Sequence, residues 1–101
     1  MAETVSGRLP DDLVRALDEL GRSTGQSRSE MLRIVVQRGV AEVRLERGLD
    51  AYRRREVSLG RAAEIAGVHL TVFLDALRRA GIHLNYGLAE LAEDMDWAER
   101  A

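Results

Sequence analysis

Hydrogen-bonding side chains recur at every second position near the start of this 101-residue chain, where Thr4, Ser6 and Arg8 alternate with Val5, Gly7 and Leu9. The alternation has the period of a half-buried strand, placing two hydroxyls and a guanidinium on one face and apolar or small residues on the other. The chemistry on offer there is hydrogen bonding. Elsewhere, groupings for catalysis are missing. The two histidines, His69 and His83, lack ligand partners at the spacing of a zinc site, and the chain has no cysteine. Its Ser, His and Asp residues fall into no nucleophile elbow, glycine-rich phosphate loop or carboxylate pair. The sequence therefore predicts no enzyme, no metal and no cofactor, and gives each histidine a surface or helix-capping role.

These polar residues need elements to hold them. One strand cannot satisfy its own backbone donors and acceptors, and no second strand follows it, so pairing with the same strand of a second chain is the economical solution. The product is a two-stranded antiparallel ribbon, which fits the DNA major groove. Pro10 before Asp11 and Asp12 then suits the first turn of a helix, with Leu13, Leu17 and Leu20 on one face. Gly21 and the Ser23, Thr24, Gly25 segment read as its stop. Ser27 and Glu30 form a capping box for the next helix. Along that helix Leu32, Val35, Val36, Val40 and Val43 follow at spacings of three and four, Met31 and Ile34 widen the apolar arc, and an arc that wide predicts burial against a partner chain. The pattern runs on through Leu45, Leu49 and Tyr52 to Arg53, Arg54 and Arg55, with Gly39 and Gly48 as the expected places for a bend. The arginine run reads as a solvated helix end, with phosphate contact as the other reading.

With R-L-P-D-D-L at 8–13 and S-R-S-E at 27–30, the region 4–47 resembles the ribbon-helix-helix superfamily of MetJ, Arc and CopG-type repressors. The resemblance implies a DNA-binding and dimerisation domain over 1–47 that forms an intertwined homodimer. It makes Thr4, Ser6 and Arg8 the base-reading face and points Val5 and Leu9 into the dimer core. Arg8 can donate two hydrogen bonds to guanine O6 and N7, and Thr4 can offer a methyl or a hydroxyl to a base edge. Ser27, Arg28 and Ser29 would open the second helix, where amide N–H groups and the dipole favour a phosphate. Two departures stand out: Gly7 at an inward strand position, and Glu3 at the mouth of the face. A strand that only holds a dimer together is the alternative.

Ser58 can cap a short helix that stops at Gly67, and another is expected from about Thr71 to Arg79, a helix-turn-helix spacing. Leu59, Ala66, Val68, Phe73 and Leu77 are its expected core, with Ala63 and Gly67 where the helices approach and turn. Its second helix exposes His69, Leu70, Thr71, Leu74 and Asp75 in some combination, poor base readers, so the reading for 48–83 is a small helix-turn-helix-like domain in a structural or protein-contact role. The strings S-L-G-R-A-A-E-I-A-G, F-L-D-A-L and L-N-Y-G are similar, over roughly 45–96, to a small uncharacterised prokaryotic family whose members are thought to be antitoxins. That resemblance implies pairing with PIN-domain ribonuclease toxins of the VapC type. His69 departs from it, standing where a capping serine is more usual. In the segment 84–101, Leu88, Leu91 and Met95 fall on one face of an acidic amphipathic helix, flanked by Tyr86 and Trp97. These five are the candidate partner-binding residues, unless the helix folds back on its own core.

Charge is unevenly spread behind a net value of −2. Residues 1–48 carry eight Arg and eight acids, 49–83 six Arg and four acids, and 84–101 one Arg and five acids, so the acid that would oppose nucleic acid sits in the tail. No apolar run reaches membrane-spanning length and no signal core opens the chain, which predicts a soluble, cytoplasmic protein. The combined expectation is a mainly α protein: a ribbon-helix-helix dimer, then a helix-turn-helix-like unit, then an acidic helix. Its expected function is that of a type II antitoxin that binds operator DNA as a dimer, with higher order possible on DNA, and neutralises a PIN-domain toxin. A stand-alone repressor with a C-terminal interaction or sensing domain is the alternative.

Overall fold

The computed structural model describes residues 1–84, and among these it has four helices: α1 (Asp11–Thr24), α2 (Arg28–Arg53), α3 (Leu59–Ala66) and α4 (Leu70–Arg79). Contacts divide the chain into two compact units, Met1–Arg38 and Gly39–Ala101. The division falls inside α2, which is continuous through both Gly39 and Gly48.

In the first unit, the Pro10 carbonyl accepts from the Leu13 and Val14 amides as α1 begins, and Asp11 and Asp12 sit in its first turn. Gly21 is not part of the stop. The helix continues through it to Thr24 and ends on Gly25, at φ 72°, whose amide reaches the Gly21 carbonyl. Gly21 serves instead as a point of close approach, since a Cβ there would lie 2.6 Å from the Gln26 carbonyl oxygen. The capping box of α2 is complete: the Glu30 amide donates to Ser27 Oγ at 3.1 Å, and the Ser27 amide donates to Glu30 Oε1 at 3.0 Å. That bond holds the Glu30 carboxyl below its ordinary range. Of the expected α1 face only Leu17 is buried; Leu13 and Leu20 are half exposed. Residues 1–10 precede α1 as exposed chain without helix or strand. The ladder expected of Thr4 to Leu9 is one formed between chains, so a single chain displays the segment without it.

The second unit holds the main core. Leu59, Ala62, Ala63, Ala66, Leu70, Phe73 and Leu77 are buried with Tyr52 from α2, and Leu45, Leu49, Val57, Val68 and Ile82 pack around them. The Tyr52 and Phe73 rings meet edge to face, 6.5 Å between centroids. Leu70 corrects the expectation that it is an exposed α4 position: it is the first residue of α4 and only 2% exposed, because it turns into this core. Gly48 lets α2 and α3 touch, since a Cβ on it would fall 2.6 Å from the Ala62 carbonyl oxygen and 2.9 Å from the Ala66 Cβ. Between α3 and α4, Gly67 is left-handed (φ 71°), with the Arg44 guanidinium lying over it and Arg44 Nε donating to the Ile65 carbonyl at 3.4 Å. Arg55 ends α2, the one non-glycine residue with a left-handed backbone (φ 60°) among those described. Its amide donates to the Tyr52 carbonyl, and that of Glu56 to Ala51.

Candidate nucleic-acid interface

Thr4, Ser6 and Arg8 all lie in the exposed segment ahead of α1, within a few residues of one another along the chain. Val5, at 87% exposure, and Leu9, at 45%, are exposed too, so the apolar side of the segment is uncovered as well. The second group, Ser27, Arg28 and Ser29, forms the head of α2. Ser27 Oγ is committed to the cap, leaving the first-turn amides of Arg28 and Ser29 directed out of the helix end.

Arg28 brings in a residue that the sequence reading missed. Its guanidinium makes a two-pronged pair with Asp18 of α1, Nε to Oδ1 at 2.9 Å and Nη2 to Oδ2 at 2.7 Å. The hydrogen bond from Arg28 pulls the Asp18 carboxyl below its usual range and raises the guanidinium in turn. The ten-residue separation hid the pair, because only the α1–α2 turn brings the two side chains together. An incoming phosphate at the head of α2 would compete with the Asp18 carboxylate for this arginine.

The apolar residues of α2 sort into two sides. Met31 is buried and Ile34 half-buried against the first unit, and Leu45, Leu49 and Tyr52 pack into the second. At roughly 100° per residue, Leu32, Val35, Val36, Val40 and Val43 point elsewhere, and they are 38–53% exposed. The wide arc in the sequence is thus two faces, one of them uncovered.

His69 takes the place of the expected capping serine. Its Nδ1 accepts from the Thr71 amide at 3.2 Å and lies 2.9 Å from Thr71 Oγ1, so α4 starts on an imidazole cap. The exposed arginines of α4 are committed locally: Arg78 and Arg79 both pair with Asp75, whose carboxyl the Arg78 hydrogen bond holds low. In the arginine run, Arg54 pairs with Asp50. Beyond α4 an apolar groove of about 520 Å³ runs between Leu74, Leu77, Ile82 and Leu84. Tyr86, Leu88, Leu91, Met95 and Trp97 lie outside the described residues. Among the described residues, no cluster of His, Cys, Asp or Glu could hold a metal ion, and no helix is long and apolar enough to cross a membrane.

The exposed N-terminal segment is followed by two helices, the second opened by a full capping box, and residues 3–43 match the family model described as "Ribbon-helix-helix protein, copG family". A second model, "Uncharacterised protein family (UPF0175)", matches residues 26–100, and the chain belongs to this family. The match reaches further back than the 45–96 read from the sequence, taking in the whole of α2. Among its relatives are a "UPF0175 protein" of Archaeoglobus fulgidus, 47% identical over 55 residues (54% of this chain, 63% of the relative), and one of Aeropyrum pernix, 41% identical over 58 residues (57% and 65%). The chain thus spans less than two thirds of the length of the curated relatives it matches. No solved structure is significantly similar to it.

Proposed function

We propose that the protein is a DNA-binding antitoxin: a homodimer that represses its own operon and neutralises a PIN-domain ribonuclease. The observation that carries the reading is the inverted burial of the first unit. Leu17 and Met31 are its buried large side chains, while Val5, Leu9, Leu13, Leu20, Leu32, Val35 and Val36 stand open. So small a unit cannot stand on two buried side chains, and a second copy supplies the missing core. Pairing of the two N-terminal segments then presents Thr4, Ser6 and Arg8 to base edges, and the α2 heads, with Ser27, Arg28 and Ser29, meet the flanking phosphates. Phosphate contacts make the affinity fall with salt, and the two-fold axis calls for a pseudo-palindromic operator. The second unit, through its acidic segment 84–101, takes the toxin, with Tyr86, Leu88, Leu91, Met95 and Trp97 as the contact set.

The test is to express the tagged chain from its own locus with flanking genes, identify what co-purifies by mass spectrometry, and titrate the product onto its promoter DNA. A stoichiometric small ribonuclease, together with operator binding lost in Arg8→Ala while the dimer persists, is the expected result. A partner-free dimer that still shifts the promoter makes the protein a stand-alone repressor. Unchanged DNA binding in Arg8→Ala removes the base-reading role from the N-terminal segment.

A further inference from the structure

Past α4 the chain doubles back. Gly81 turns it with a left-handed backbone (φ 70°), and the Ile82 amide donates to the Leu77 carbonyl at 3.0 Å. Ile82, His83 and Leu84 thereby come to line the apolar groove of about 520 Å³ together with Leu74 and Leu77. Gly81, Ile82 and His83 also line a second hollow, of about 330 Å³, to which the end of α2 contributes Arg53 and the turn after it Arg55. Among the described residues no carboxylate lines either one. The two make a continuous surface, an apolar trough with a cationic end.

A phosphate would use the arginines and leave the trough uncovered, whereas an acidic amphipathic helix uses both. The chain carries such a segment where it leaves the groove. Leu84 stands on the groove wall, Asn85 and Gly87 are turn formers, and Leu88, Leu91 and Met95 then recur at helical spacing. One turn beyond Met95 the same stripe ends in Glu99, with Asp96 on its flank. We propose that the groove is the seat of the chain's own segment 87–99, with Leu88, Leu91 and Met95 in the trough and Asp96 and Glu99 toward the arginines. A tether this short supplies an effective concentration of about 1 mM, so an intrinsic affinity of about 100 µM keeps the segment seated about nine-tenths of the time. The residues read as the toxin contact are then covered in the free protein, and a toxin must displace them from the groove. That competition rests on the functional reading; the seating does not.

Hydrogen exchange followed by mass spectrometry on the whole chain, without toxin, tests the seating. Amides of 88–97 exchange slowly in the wild type, and Leu91→Glu or Leu84→Glu, each placing a charge in the apolar contact, speeds them about tenfold while 59–77 stays protected. Leu84 is 44% exposed and outside the core, so its substitution spares the fold. Because the chain has no cysteine, paired thiols locate the seat: Leu91→Cys oxidises with Arg78→Cys on the groove rim, within one chain, and does not oxidise with Val72→Cys, on α4 but outside the groove. Unprotected 88–97 in the wild type, protection that survives both charge substitutions, or a Leu91→Cys to Arg78→Cys crosslink that joins two chains or fails to form overturns the proposal. So does an Arg53→Glu variant that loses promoter binding with 88–97 still protected, which gives the hollow to a nucleic-acid phosphate. None of these outcomes touches the antitoxin reading, and a chain that co-purifies with no ribonuclease leaves the seating intact.

Discussion

His69 decides how α4 begins, and it does so with an acceptor nitrogen where an oxygen is customary. The imidazole Nδ1 takes the Thr71 amide, leaving Leu70 free to turn into the core. His69→Ala removes that acceptor and costs about 1 kcal/mol of stability, whereas His69→Ser restores a side-chain cap and recovers most of it. Urea unfolding of the two variants checks this, and equal losses in both would contradict a capping role. The capping role of His69 was legible in the sequence as one of two bland options, because a histidine without ligand partners ahead of a helical pattern has little else to do. The Arg28–Asp18 pair was not legible, since its two members belong to different helices and only the turn at Gly25 brings them together.

Local punctuation carries the elements. Ser27 with Glu30, Ser58 and the left-handed Gly67 all mark helix ends within a residue or so of where the chain places them, because each acts through bonds to its immediate neighbours. Glycine away from a helix end is harder to read, because what it does depends on neighbours distant in the chain. Gly48 looks like a place for a bend in a one-dimensional pattern; α2 is continuous through it, and the absent side chain makes room for α3. Gly48→Ala therefore destabilises the protein by about 1–3 kcal/mol despite alanine's better helix propensity. A lowered urea midpoint with unchanged cooperativity is the expected signature. The same blindness to three dimensions merged the two apolar faces of α2 into one broad arc, and put Leu70 on the surface.

Among the described residues burial is lopsided, with ten apolar residues buried and eight of them in the core that joins the end of α2 to α3 and α4. A dimer that completes the first unit ties its stability to mass action, so the thermal midpoint rises with protein concentration; a midpoint that ignores concentration contradicts the dimer. Deleting residues 87–101 abolishes toxin binding and spares promoter binding, measured by co-purification and gel shift, if the acidic segment is the toxin's contact. The close of α2 bears on how this chain has room to change. Glycine takes the left-handed turn at Gly25, Gly67 and Gly81 without a steric penalty, but α2 turns on Arg55, which bears a penalty of about 1 kcal/mol or more. At that position the fold carries a standing backbone cost at the close of α2, set against the interactions that the arginine makes.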